Sequence, residues 1–176
     1  LNGQTGVTST GGLSAGNLEV ESMGGVVSLS GVMNASLAEV RGEAISMESG
    51  SLTGQSIEFI AENIALDGAA IDATTGLATL TMEQLSIDGD SSIQGADLVL
   101  ESADGISAIQ LESSDLTLEA SDTMWLKADV DGDGVLDASA GTRLLLRGDL
   151  GAVEQLDAVR LASGRLLLGT DRTIAA

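Results

Sequence analysis

The chain of 176 residues carries a formal net charge of −20, from 27 acidic and 7 basic side chains, and it has no histidine, cysteine or proline. That balance disfavours a basic face for nucleic acid or an anionic membrane. The missing residue types exclude disulfide frameworks, thiol catalysis, histidine-ligated zinc and every Ser-His or Cys-His arrangement. Hydrophobic residues make up 43% and aromatics 1%, with 23 glycines, so the core must be layered from Val, Ile, Leu, Ala and Met, which suits a narrow, regular interior. The length fits one domain or one repeat array. Cysteine avoidance fits an extracellular or virion protein. No apolar run approaches the roughly 18 residues of a membrane span, and no signal peptide is visible. A chain opening at Leu1 without an initiator Met is expected to be a processed product or part of a longer polypeptide.

In chain order, short alternating segments recur: "LEV" at Leu18, "VSL" at Val27, "ISM" at Ile45, "IEF" at Ile57, "IAL" at Ile64, "LSI" at Leu85, "LVL" at Leu98 and "LTL" at Leu116. Apolar residues two apart are the pattern of a strand with one buried face. Gly, Ser, Asp or Asn follow almost every segment, as turns require.

Val20, Val40, Ile60, Leu80 and Leu100 recur at intervals of 20 residues, and Ala120 continues the column. Leu18, Ala38, Ala78, Leu98 and Leu118 form a second column, interrupted at Glu58. Within one period the segments lie about seven residues apart, as in Ile57, Ile64, Ile71 and Ala78. Three short strands therefore complete one turn of chain. The fold expected is an all-β solenoid of about 20 residues per coil, whose coils bury their apolar edges by stacking at about 4.8 Å. Phe59 is expected in the core. Trp125 is either core at the change of pattern, the preferred reading, or an exposed contact.

Residues 1–126 hold 19 acidic side chains and one basic, Arg41, whereas 127–176 hold 8 and 6. The expected organisation is an acidic shaft over 1–126, an Asp/Gly-rich loop over 127–142, and further coils or a cap of mixed charge over 143–176. "RLLLRGD" at Arg143 and "RLLLGTD" at Arg165 repeat each other at an interval of 22. A helix is an alternative for 150–162, where Val153, Leu156 and Val159 approximate one face. "RGD" at Arg147 to Asp149 is too short to carry weight as an integrin-type motif.

The stretch "DVDGDGVLD" carries the one chemical motif. Aligned to an EF-hand loop, Asp129, Asp131, Asp133 and Asp137 fall at positions 1, 3, 5 and 9 and Gly134 at position 6, but Ala140 stands where a bidentate Glu belongs. A structural calcium ion, Ca2+, on these four aspartates is the expectation, beside the bland reading of a solvated acidic turn. Stacking by twenties also sets Glu19 beside Glu39, a repulsion that cations or salt would relieve.

"LSIDGDSSIQGADLVLESADGI", residues 85–106, resembles the repeats of filamentous haemagglutinin-type exoproteins and related bacterial adhesins. That resemblance implies a right-handed parallel β-helix serving as an extended cell-surface shaft. "SSDLTLEASDTMWLKA" is similar to the membrane-piercing spikes of phage tails and contractile injection systems, and "GRLLLGTDRT" to segments near the ends of phage tail fibres. The likeness to the spikes implies three chains wound into one β-prism. The function expected is a non-catalytic extracellular structural module on a cell surface or virion, the shaft of an adhesin or filament, with a trimeric tail fibre or spike as alternative and a polysaccharide-acting β-helix enzyme as a distant one. Copies of itself, adjoining modules and a surface receptor or glycan are the expected partners.

Overall fold

A computed structural model describes residues 1–3, 6–102, 105–170 and 172–176. Ala103 and Asp104 of the adhesin-like stretch and Asp171 of "GRLLLGTDRT" lie outside the described residues. The chain winds as a parallel β-solenoid of about eight turns, with 74% of residues in strands and no helix among those described. Each turn contributes to three faces. The first face is built by β2 (Gly6–Thr10), the start of β4 (Val26–Arg41), the start of β5 (Ala44–Ile60), β6 (Asn63–Asp67), β9 (Gln84–Ile87), β11 (Ser107–Glu112) and β13 (Ala128–Asp133). The second face runs from the start of β3 (Leu13–Ser22) through β4, β5 and β7 (Ala70–Asp72). It continues into the first halves of β10 (Ser91–Glu101), β12 (Leu116–Leu126), β14 (Val135–Leu146) and β15 (Ala158–Leu168). The third face takes the second halves of those long strands together with β8 (Leu77–Thr81), while β1 (Asn2–Gly3) pairs with the end of β3. All these ladders are parallel.

Alternation decides what is buried. In β5, Ile45, Met47, Leu52, Ile57 and Phe59 point inward and are buried. Each stacks on its register partner one coil away: Val27, Ile45, Ile64, Leu85, Ile109 and Val130 on the first face, and Met33, Leu52, Ile71, Ile93 and Leu118 on the second. A third-face column runs Val20, Val40, Phe59, Leu80, Leu100, Leu126 and Leu146. All of these residues are buried, and they form one continuous core.

The third-face column corrects the column expected at fixed intervals of 20. Phe59, not Ile60, stands between Val40 and Leu80, so Ile57 fills the gap expected at Glu58. Leu126, not Ala120, follows Leu100, and Leu118 lies over Ile93 on the second face rather than over Leu98. Coils are not of constant length because surface turns absorb residues without disturbing the ladders. The longest coil carries most of its extra residues between Glu101 and Ser107.

Two further expectations change. The segment 127–142 is not a loop but β13 and most of β14, and the core runs through Lys127 without interruption. The charge boundary there is thus a change of surface within one solenoid. Residues 150–157 are irregular rather than helical: Leu150 is buried and bridges Val130 and Ile174, Val153 is 91% exposed, Leu156 is inserted at 1%, and the chain re-enters the ladder at Ala158.

The register makes a direct stability test. Phe59→Ala is expected to lower unfolding free energy by about 3–5 kcal/mol, the cost of a large core truncation. Ile60→Ala, one residue on and on the outer side, is expected to cost less than about 1 kcal/mol. Urea denaturation of both variants checks the pair.

Candidate functional site

The corners are where chemistry-bearing side chains gather, because coils stacked at about 4.8 Å leave turn N–H groups beyond the reach of the ladders. Aspartates meet that need. The Asp115 amide donates to Asp90 Oδ1 at 3.0 Å, and the Val135 amide donates to Asp115 Oδ1 at 2.9 Å. At another corner the Asp149 amide donates to Asp129 Oδ1 at 2.7 Å and the Thr173 amide to Asp149 Oδ1 at 2.7 Å. Asp115 and Asp149 thus each accept a bond from the next coil and donate their own amide to an aspartate of the previous one, a staple running along the solenoid.

The four candidate calcium ligands belong to this scheme. Asp129, Asp131 and Asp133 alternate along the outer side of β13, with Val130 buried between them, so neighbouring carboxylates leave the backbone some 7 Å apart. Asp131 Oδ1 accepts from the amides of Val153 at 2.8 Å and Glu154 at 3.2 Å. Asp133 accepts from the Ser113 amide at 2.9 Å and the Ser113 hydroxyl at 2.7 Å. That pair holds Ser113 in the left-handed region, φ 54°, which costs a non-glycine residue energy. Asp137 lies on the second face, in register with Thr117 and Arg160. These four carboxylates therefore do not converge as an EF-hand loop would bring them, and no group of three or more metal-ligating side chains forms among the described residues. The glycines have a packing reason instead. A Cβ on Gly132 would overlap the Leu111 carbonyl oxygen, and one on Gly134 that of Ser114.

Carboxylates also stack. Register places Glu48 beside Asp67 and Glu112 beside Asp133 on one edge of the first face, with Asp88, next after Ile87, between the pairs. On the third face, Glu19, Glu39 and Glu58 are register neighbours, as expected for the first two. Arg41, isolated in the acidic part of the sequence, is clipped to this column: its Nε pairs with Glu39 and its Nη2 with Glu58 at 3.3 Å. The hydrogen bond to Glu39 does most to hold its guanidinium above the ordinary value, with the charges of Glu39, Glu58 and Glu21 adding to it against the cost of desolvation.

Farther along the third face the outward row turns apolar: Thr79, Val99, Trp125, Leu145 and Leu167 are successive register partners. Trp125 is 42% exposed because Met124 and Leu126 take the inward positions on either side, which corrects the preference for a core tryptophan. Lys127 lies 5.5 Å from its ring centroid and pairs with Glu101 on the previous coil. Sequence reading missed this stripe, although the signal was present. In "LVL", "MWL" and the two "LLL" runs three apolar residues follow one another, and in a strand the middle one must face out. At the "RGD" stretch, Gly148 is buried against the preceding coil and Asp149 is a staple that also pairs with Arg172. That tripeptide is not displayed as a loop tip.

No protein-family model, no curated protein and no solved structure matches this chain.

Asp149→Ala, which removes a staple between coils, is expected to cost about 1–2 kcal/mol in urea denaturation, whereas Asp137→Ala is expected to stay within about 0.5 kcal/mol. Asp133 is held below the ordinary aspartate value of 3.8, chiefly by the Ser113 hydroxyl and then by its amide. Its contribution is present above that value and is lost as pH falls through the lower, folded value. Asp133→Asn should therefore flatten the acid limb of the stability profile below about pH 4, read from thermal melts. Because like charges stack at the surface, raising NaCl from 10 mM to 0.5 M should raise the melting temperature. A flat or falling response would remove the repulsive ladder as a factor.

Proposed function

We propose that this chain is a non-catalytic structural module, a rigid β-solenoid shaft of an extracellular adhesin or filament. The observation that carries the reading is the parallel stacking of coil on coil, with its continuous aliphatic core. The second and third faces keep their parallel ladders and aliphatic columns from the first coils to β15, the first face keeps its own to β13 and continues as single bridges through Leu150 to Ile174, and aspartate staples stand at the corners. Such an object is quasi-one-dimensional, each coil contacting its neighbours, so it serves well as a spacer. The columns continue to Leu166 and Leu168, which stand in register with buried Leu144 and Leu146 yet are 43% and 51% exposed. Another coil of the same kind would cover them.

One chain supplies all three faces of every coil, which favours a single-chain shaft over an intertwined trimeric spike. The glycan-acting alternative would use the shallow cleft on the second face lined by Asp72, Gln94 and Glu119. Those carboxylates are two coil steps apart, about 10 Å, which is wide for an acid–base pair that activates water.

Immunoelectron microscopy with antibodies to the chain is expected to decorate fibres on intact cells or virions of the source. Label confined to the cell interior would overturn the extracellular reading. Incubation with a polysaccharide panel is expected to leave every polymer intact, and turnover abolished by Glu119→Gln would replace the shaft with an enzyme.

A further inference from the structure

We propose that the depression beside Trp125 on the third face binds one sugar ring of a neutral glycan, with the indole as its stacking wall. Two adjacent outward rows build it. In one, Leu77, Asp97, Thr123 and Arg143 are successive register partners; in the other, Val99 and Trp125 are. Thr123 is short and 6% exposed, so it forms the floor, and Asp97 and Arg143 stand one coil step, about 4.8 Å, to either side of it. The space amounts to about 330 Å³, the lower end of small-molecule pockets at about 300–1,000 Å³.

Trp125 and the groups around it set the ligand class. The core positions beside it are filled by Met124 and Leu126, and the ring stays 42% exposed. Lys127, two positions on, lies 5.5 Å from the ring centroid, while Thr123 and Asp122 line the depression on the preceding side. The indole thus stands between an ammonium and the depression, to which it offers a flat apolar wall. The polar groups there carry both signs. Asp97 Oδ1 accepts from the Thr123 amide at 3.1 Å, which orients the carboxylate and leaves Oδ2 to accept from a ligand. Asp122 adds a second acceptor at the exposed rim. Arg143 can only donate, and it takes part in no ion pair among the described residues.

A ligand that fits must therefore bring an apolar face for the ring, donors for two carboxylates and an acceptor for a guanidinium. A sugar ring does this, because its C–H groups gather on one face and its hydroxyls, each both donor and acceptor, stand around the edge. A quaternary ammonium would meet Arg143 as a like charge, and an anion would meet Asp97 and Asp122. Among neutral sugars, β-linked glucose and galactose present broad C–H faces. This site goes beyond the shaft reading and does not depend on it.

Trp125 is the sole tryptophan, so its emission reports directly on the depression. Titration of the whole chain with cellohexaose, and separately with lactose, is expected to give a saturable change in emission for at least one of them, with a Kd on the order of 1 mM, as suits contact with a single ring. Saturation-transfer NMR on the sugar gives a second readout that survives loss of the tryptophan. By that readout Trp125→Ala is expected to weaken binding about tenfold or more, Trp125→Phe to hold it within about threefold, and Arg143→Met to weaken it about fivefold. Both residues point outward, so circular dichroism is expected to show all three variants folded. Glu119→Gln, in the cleft of the second face, is expected to leave the Kd unchanged. No saturable binding of either sugar up to about 20 mM would overturn the proposal. So would choline bound in place of both sugars, binding unmoved by Trp125→Ala, or binding removed by Glu119→Gln. None of these outcomes bears on the immunoelectron labelling that tests the shaft.

Discussion

Everything in this molecule depends on the parallel ladder between successive coils. At about 4.8 Å per step, each residue lies beside its register partner and is repeated, in kind or in conflict, along a column. Aliphatic side chains profit from that repetition, because identical shapes stack without voids and one row of contacts extends through the whole length. Large rings would force coils apart locally. A single buried Phe59 among Val, Ile, Leu, Met and Ala is what such a core accommodates.

The same repetition makes the surface costly in charge. A carboxylate placed outward on one coil meets a carboxylate on the next unless the sequence intervenes, and three interventions are visible. Arg41 ties Glu39 to Glu58, Lys127 ties to Glu101, and corner aspartates turn their charge onto backbone amides of adjacent coils. The last device does two jobs: it satisfies donors that the turns leave unpaired, and it delocalises charge into charge-assisted hydrogen bonds. In the aspartate-rich stretch, Asp129, Asp131 and Asp133 each clip a neighbouring coil in this way.

Much of the fold was legible in the sequence because burial in a strand depends only on alternation, and three short strands in about 20 residues leave few ways to close a turn. The triplet Ile57, Ile64 and Ile71, followed by Ala78, identified the three-face coil correctly, and Ile57 and Ala78 are indeed register partners. Exact columns were less legible. A surface turn adds or removes a residue at little cost, so a fixed interval drifts: Ile60 and Ala120 satisfy the arithmetic, while Phe59 and Leu126 satisfy the ladder. The surroundings of the aspartates were illegible for a related reason. Spacing two apart suits a loop that curls around an ion and a strand that points alternate side chains outward, and only the neighbouring coil distinguishes them.

The sequence by itself determined the all-β class, the aliphatic core, the coil of three strands and the uneven charge, since each follows from local alternation and composition. The tertiary structure alone decided which residues become neighbours across coils. Whether Asp129 meets an ion or the amide of Asp149, whether Trp125 is inside or out, and where Arg41 finds its glutamates all depend on contacts some 20 residues apart in the chain, and variable turns set that distance coil by coil.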